Sequence, residues 1–220
     1  MAVQGPKAIE AMQELTDFDL ASLPFYGHTT TTFAGVENII VATTGYTGSG
    51  GVEIYCKNNV VAQLWEAIFR AGETFGVQAI GLAARDTLRL EMGYCLYGNE
   101  INDSSSPIAA GLGWVTRPAT AFVNAESIGE QKEKGTQDKL VGFELIDRGI
   151  PRTGHDIVTE NGDFIGKVTS GTQSPSLNKA IGLGYVPTEK ATPGTTIHIQ
   201  VRNKVLAAKV VKLPFYTPQK

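Results

Sequence analysis

The stretch "GYTGSGGVEIY", residues 45–55, places four glycines within seven positions and then a single carboxylate, Glu53, inside an alternating apolar run. A carboxylate held in a cavity can accept two N–H donors of a heterocyclic ligand in one flat, bidentate contact. On the outward side of a half-buried strand the same group is an ordinary solvated charge. The stretch alone leaves both readings open. A second group stands in "GLAARDTLRLEMGY", residues 81–94, where Arg85 is followed one helical turn later by Arg89. A guanidinium facing a cleft clamps a carboxylate through its planar fork, whereas one beside Asp86 on a surface is an ion-pair member. Tyr46, Tyr94 and Tyr97 lie near these two motifs, either as ligand platforms or as packing at the edge of a core.

Other chemistries find no support. A phosphate loop needs a helix N-terminus after its glycines, and here a strand follows; neither GxxxxGK[ST] nor GxGxxG is matched. Cys56 and Cys95 lack a CxxC partner, and His28, His155 and His198 show no HxxxH or HExxH spacing, so a metal site is not expected. No Ser-His-Asp or Cys-His arrangement can be made out. The net charge of −3 gives no electrostatic argument for nucleic acid or an anionic membrane. No apolar run approaches the ~20 residues of a membrane span, and no signal-peptide pattern is seen. Reduced thiols in a cytoplasmic protein are the expectation.

These residues need a scaffold, and 220 residues with 42% apolar and 19% charged composition can supply one large domain or two small ones. Residues 6–15 read as a short helix opened by Pro6. Strands are expected at 38–44 and 52–56, forming a hairpin with Val52 and Ile54 on one face and Glu53 and Tyr55 on the other. In "VVAQLWEAIFRAG", Val61, Leu64, Trp65, Ile68 and Phe69 fall at helical spacing, an amphipathic helix closed by Gly72 whose stripe covers the hairpin's sheet. A second helix spans 81–94, with Leu82, Leu88 and Met92 on one side. The polar segment 124–139 reads as a short helix running into a linker. Beyond it, six short strand candidates separated by Gly, Pro and Asn turns indicate a small β-barrel or sandwich. The fold class is therefore α+β, with residues 1–130 an α+β region and 131–220 a C-terminal β-barrel.

Taken together, "GYTGSGGVEIY", "GLAARDTLRLEMGYCLYGNEI", "GKVTSGTQSPSLNKAIGLGYV" and the closing "KLPFY" resemble the glycine cleavage system T-protein family. That resemblance implies an aminomethyltransferase that moves a one-carbon unit from the lipoyl arm of H-protein to tetrahydrofolate, releasing ammonia and 5,10-methylenetetrahydrofolate. It also implies roles: Glu53 hydrogen-bonds the pterin, Tyr46 lines the pocket, Arg85 meets the folate's glutamate carboxylates, and Tyr94 lies against the ligand. Residues 1–130 would then be the family's folate-binding region and the β-rich tail its closing barrel. The family's catalytic aspartate lies well upstream of this turn; only 44 residues precede Gly45 and they lack its motif. Asp17 and Asp19 are given no role. The expectation is a fragment without the N-terminal part, inactive alone, with a folate cavity open on one side. Two other readings stand beside it: a folate-binding module of a demethylating enzyme, and a non-catalytic interaction domain. The cysteine-bearing turn of the related iron–sulfur maturation proteins is not matched here.

Overall fold

The computed structural model describes residues 1–217, which divide into two units, Met1–Leu88 and the chain from Arg89 onward. In the first unit the chain runs through β1 (Ala2–Gln4), α1 (Ala8–Gln13), β2 (His28–Phe33), β3 (Val36–Ala42), β4 (Gly51–Tyr55) and α2 (Val61–Gly72). Then α3 (Leu82–Glu91) carries it across the division. The four strands form one antiparallel sheet in the order β1-β4-β3-β2.

The expected hairpin is present as β3 and β4, with Val41 opposite Ile54 and Ala42 opposite Glu53. Val3, Val41, Val52 and Ile54 are buried on one sheet face, where they join Met12 of α1 and Leu64 and Ile68 of α2 in a single core. Two strands were not anticipated. β1 is three residues long, too short to show a period, and the "TTTT" of β2 has β-branched residues but no alternation of polarity. β2 and β3 are joined by Ala34 and Gly35, both at positive φ, the twist-matched two-residue loop of a tight hairpin.

Helices α2 and α3 differ in detail from the sequence reading. On α2 the buried side is Leu64, Ala67, Ile68 and Ala71, while Val61 and Trp65 stay 40% and 49% exposed. Trp65 and Phe69 pack against each other on the flank, ring centroids 4.9 Å apart and planes tilted by 47°. The α-helix ends at Gly72 as expected, but Gly72 keeps right-handed φ, and a 3₁₀ turn, Glu73–Phe75, follows before Gly76 closes it at φ 74°. On α3, Leu82 is 84% exposed, and burial is confined to the C-terminal end, Arg89, Leu90 and Glu91.

In the second unit α4 (Ala125–Lys134) precedes six strands, β5 (Asp138–Leu145), β6 (Asp156–Val158), β7 (Phe164–Ser174), β8 (Lys179–Pro187), β9 (Thr196–Val201) and β10 (Lys204–Val211). All six expected strands are present and close into a barrel in the order β10-β5-β8-β7-β6-β9. Its interior holds Val141, Phe143, Ile157, Val168, Ile197, Ile199 and Ala208. Gly166, Gly182 and Gly184 keep side chains away where neighbouring strands and Phe143 press closest.

Backbone geometry makes two glycines testable. Gly51 opens β4 at φ +122°, and a Cβ there would sit 2.2 Å from the Val3 carbonyl oxygen. Gly35 has φ +74° but open space around it. Gly51→Ala should therefore destabilise the fold by more than about 2 kcal/mol, against about 1 kcal/mol for Gly35→Ala, read from urea unfolding midpoints of the two variants.

Candidate functional site

The glycine-rich turn is held shut by one side chain. Gln4, on the edge strand, donates from Nε2 to the carbonyls of Thr44 at 3.2 Å and Val52 at 3.3 Å, and its Oε1 accepts from Thr47 Oγ1 at 3.2 Å. A Cβ at Gly45 would meet Gln4 Oε1 at 1.8 Å, so a larger residue there would displace this amide. The amide thus spans both sides of the loop and fixes where β4 begins.

Strand alternation then settles the direction of Glu53. Val52 and Ile54 face the core, so Glu53 lies on the opposite sheet face, in a row with His28, Ala42 and Ala2. It is half-buried there. Thr44 Oγ1 donates to Glu53 Oε2 through a short hydrogen bond, and Tyr55 OH donates to the same oxygen at 3.2 Å. Two hydroxyls therefore orient the carboxylate through one oxygen and leave Oε1 without a hydrogen bond among the described residues.

Arg85 and Tyr46 are brought together, the guanidinium carbon lying 4.9 Å from the centre of the phenol ring. At this exposed site such a contact contributes about 0.5–1 kcal/mol, enough to bias the guanidinium's position. Arg85 also borders a hollow of about 750 Å³ shared with Gln4, Thr47 and Ser49. Glu53 is not among the residues lining that hollow. Tyr94 belongs to the second unit, where its amide donates to the Arg89 carbonyl at 2.9 Å and its own carbonyl accepts from Arg89 Nη1 at 3.0 Å.

Residues 1–120 of the chain match the GCVT N-terminal domain family, and residues 139–217 match the glycine cleavage T-protein C-terminal barrel domain. The chain belongs to the glycine cleavage T-protein family. It is 55% identical over 216 residues to an aminomethyltransferase of Flavobacterium psychrophilum and 55% identical over 217 residues to one of Bacteroides thetaiotaomicron. Both alignments cover 98% of this chain, which spans about 60% of the length of these curated relatives. The solved glycine cleavage system aminomethyltransferase T from Bartonella henselae superposes with a TM-score of 0.88 at 33% identity, over 97% of this chain and 58% of that one.

The second unit of this family member contains a polar cluster that the sequence reading did not single out. Arg89 and Glu100 are both fully buried and form an ion pair at 2.7 Å. Arg89 Nη2 donates to Ser170 Oγ at 2.8 Å, and Glu100 accepts from the Leu96 amide at 2.9 Å and from Thr169 Oγ1 at 2.7 Å. Nearby, Glu91 is buried with no cation beside its carboxylate among the described residues; it accepts instead from Ser174 Oγ at 2.5 Å and from the hydroxyl and amide of Ser176 at 2.8 and 3.3 Å. The i, i+4 spacing of Arg85 and Arg89 puts both on one side of α3 and gives no hint that the first is exposed and the second buried. Burial pushes the Cys95 thiol up to about 11 and the Tyr185 phenol up to about 12, with the Glu100 carboxylate adding to both shifts.

Removing one partner of a desolvated pair strands the other, so Arg89→Met should cost about 3–5 kcal/mol. The double variant Arg89→Met/Glu100→Leu should cost less than the two single changes added together, which a double-mutant cycle in urea measures. Raised thiol and phenol values mean that the neutral forms favour the fold. Their contribution is complete below the ordinary thiol value of 9.0 and is lost as pH climbs towards 11 and 12. The urea midpoint should therefore fall between pH 9 and 11, and less steeply in Cys95→Ala.

Proposed function

We propose that this chain supplies the folate-binding region and closing barrel of an aminomethyltransferase of glycine cleavage, residues 1–130 carrying the first and 131–220 the second. The substrate pair is tetrahydrofolate and the aminomethyl-lipoyl arm of H-protein. The reaction joins the methylene carbon to two folate nitrogens, breaks its bonds to sulfur and nitrogen, and releases ammonia and the reduced dithiol. A cytoplasmic setting accords with two cysteines that stand outside any disulfide.

The observation that carries this reading is the Glu53 carboxylate, oriented through Oε2 by Thr44 and Tyr55 and presented on an open sheet face with Oε1 available. A reduced pterin offers adjacent N–H donors that fit one carboxylate edge, so these residues suit the ligand. Arg85, set over Tyr46, has the planar fork for the carboxylates of the glutamate tail, and Tyr46 the flat face for an aromatic neighbour. Tyr94 is assigned to the same ligand. No residue is assigned the catalytic proton transfers, since the family's aspartate motif has no match in this sequence.

Titration calorimetry on the chain separates the two ends of the ligand. Glu53→Gln should weaken tetrahydropterin and tetrahydrofolate alike by at least tenfold, with the melting temperature within about 2 °C of the parent. Arg85→Lys should weaken tetrahydrofolate and p-aminobenzoylglutamate but leave tetrahydropterin unchanged. Unaltered folate affinity with a large loss of melting temperature would make Glu53 a structural residue. Incubated with lipoylated H-protein, ammonia and methylenetetrahydrofolate, the chain alone should show no turnover.

A further inference from the structure

The backbone of Tyr94 is held on both sides by one buried residue. Helix α3 ends at Gly93, which has φ 70° and donates its amide to the Leu90 carbonyl at 2.8 Å, while the Tyr94 amide donates to the Arg89 carbonyl at 2.9 Å. These two bonds form the left-handed closure that turns a chain off the end of a helix. Arg89 then returns through its side chain, Nη1 donating to the Tyr94 carbonyl at 3.0 Å. The Tyr94 ring, 36% exposed, is carried on that fixed backbone.

A guanidinium that reaches across a turn must itself be held. Arg89 pairs with Glu100 at 2.7 Å and donates from Nη2 to Ser170 Oγ at 2.8 Å. Glu100 in turn accepts from Thr169 Oγ1 at 2.7 Å and from the Leu96 amide at 2.9 Å. Thr169 and Ser170 are consecutive on β7, and consecutive residues of a regular strand face opposite ways. Here the register against β8 shifts: Val168 opposes Gly184 and Ser170 opposes Leu183, so Thr169 is an extra residue. That bulge turns Ser170 away from the barrel interior, where Val168 lies, to the side on which Thr169 meets Glu100. Asn99 closes the arrangement, its Nδ2 donating to the Thr169 carbonyl at 3.2 Å and to Ser170 Oγ at 3.1 Å.

We propose that Arg89 is a positioning residue for ligand binding, acting through Tyr94, and that the β7 bulge is the seat that keeps its guanidinium in place. The inference rests on the assignment of Tyr94 to tetrahydrofolate. A buried ion pair needs only its own donors and acceptors satisfied, yet this one gives a guanidinium donor to the carbonyl of the residue assigned to the ligand. A ring whose backbone is already ordered loses less freedom when the ligand arrives. Lysine cannot replace the arginine here, because a point charge stays beside Glu100 without a second arm for the Tyr94 carbonyl.

Two mild variants test this. Arg89→Lys keeps the charge beside Glu100, and Thr169→Val removes one hydroxyl from the other end of the seat. In the free chain each should speed hydrogen exchange at the Tyr94 amide at least tenfold while the Val210 amide of the barrel is unchanged. In titration calorimetry each should weaken tetrahydrofolate at least fivefold. In a Tyr94→Ala background, itself weaker than the parent, neither should weaken it further. A general loss of packing would lower affinity equally with and without the Tyr94 ring, and that result overturns the inference. An unchanged exchange rate at Tyr94 overturns it as well. Faster exchange at Tyr94 combined with parental affinity in Tyr94→Ala, or with a parent chain that binds no tetrahydrofolate, would sink the ligand assignment instead and leave Arg89 a structural residue.

Discussion

Everything in the first unit follows from the register of β4. Its side chains alternate strictly, so a slip of one residue against β1 or β3 would send Val52 and Ile54 into water and Glu53 into the core. Three devices prevent that slip. Gly51 has a positive φ at a place where a Cβ would sit 2.2 Å from the Val3 carbonyl oxygen, Gln4 ties the loop across both strands, and the buried pair Val41–Ile54 anchors the far side. The outward direction of Glu53 is thus a by-product of core packing, and the hydroxyls of Thr44 and Tyr55 only refine it.

The second unit achieves uniqueness by a different route. Its barrel has an ordinary apolar interior, but the segment leading into it is fastened by desolvated charge. Arg89 reaches a carboxylate, a hydroxyl and a carbonyl at once, and Glu100 is met by a guanidinium, an amide and a hydroxyl. Such a cluster tolerates few alternative arrangements, because each member left unpaired in a dry setting costs more than it contributes when paired. Glu91 shows that even a carboxylate without a neighbouring cation can be kept inside when serine hydroxyls and an amide surround it. The same helix that offers Arg85 to solvent therefore ends in residues sealed from it.

Sequence reading recovers what periodicity encodes. The β3–β4 hairpin, the six barrel strands and the outward face of Glu53 are all visible as alternation punctuated by turn residues. The resemblance in four motifs supplies the family. What escaped did so for identifiable reasons. β1 is too short to show a pattern. The spacing on α2 puts Val61, Trp65 and Phe69 in the core stripe, whereas Ala67 and Ala71 take that place and Trp65 and Phe69 line the hollow. Arg89, Glu91 and Glu100 were passed over because hydropathy places charge outside, and only contacts across as many as 85 residues of sequence reveal why these three are inside.

The barrel's closure has a further implication for how the molecule behaves in a tube. A ring of strands leaves no terminal row of amides for a neighbour to extend, so the second unit lacks a seed for stacking. The four-stranded sheet ends in two such rows, at β1 and at the threonine-rich β2. Turbidity and gelling on storage should accordingly originate from one half of the polypeptide, and lysines placed along the outer side of β2 are the change by which a formulator would suppress them.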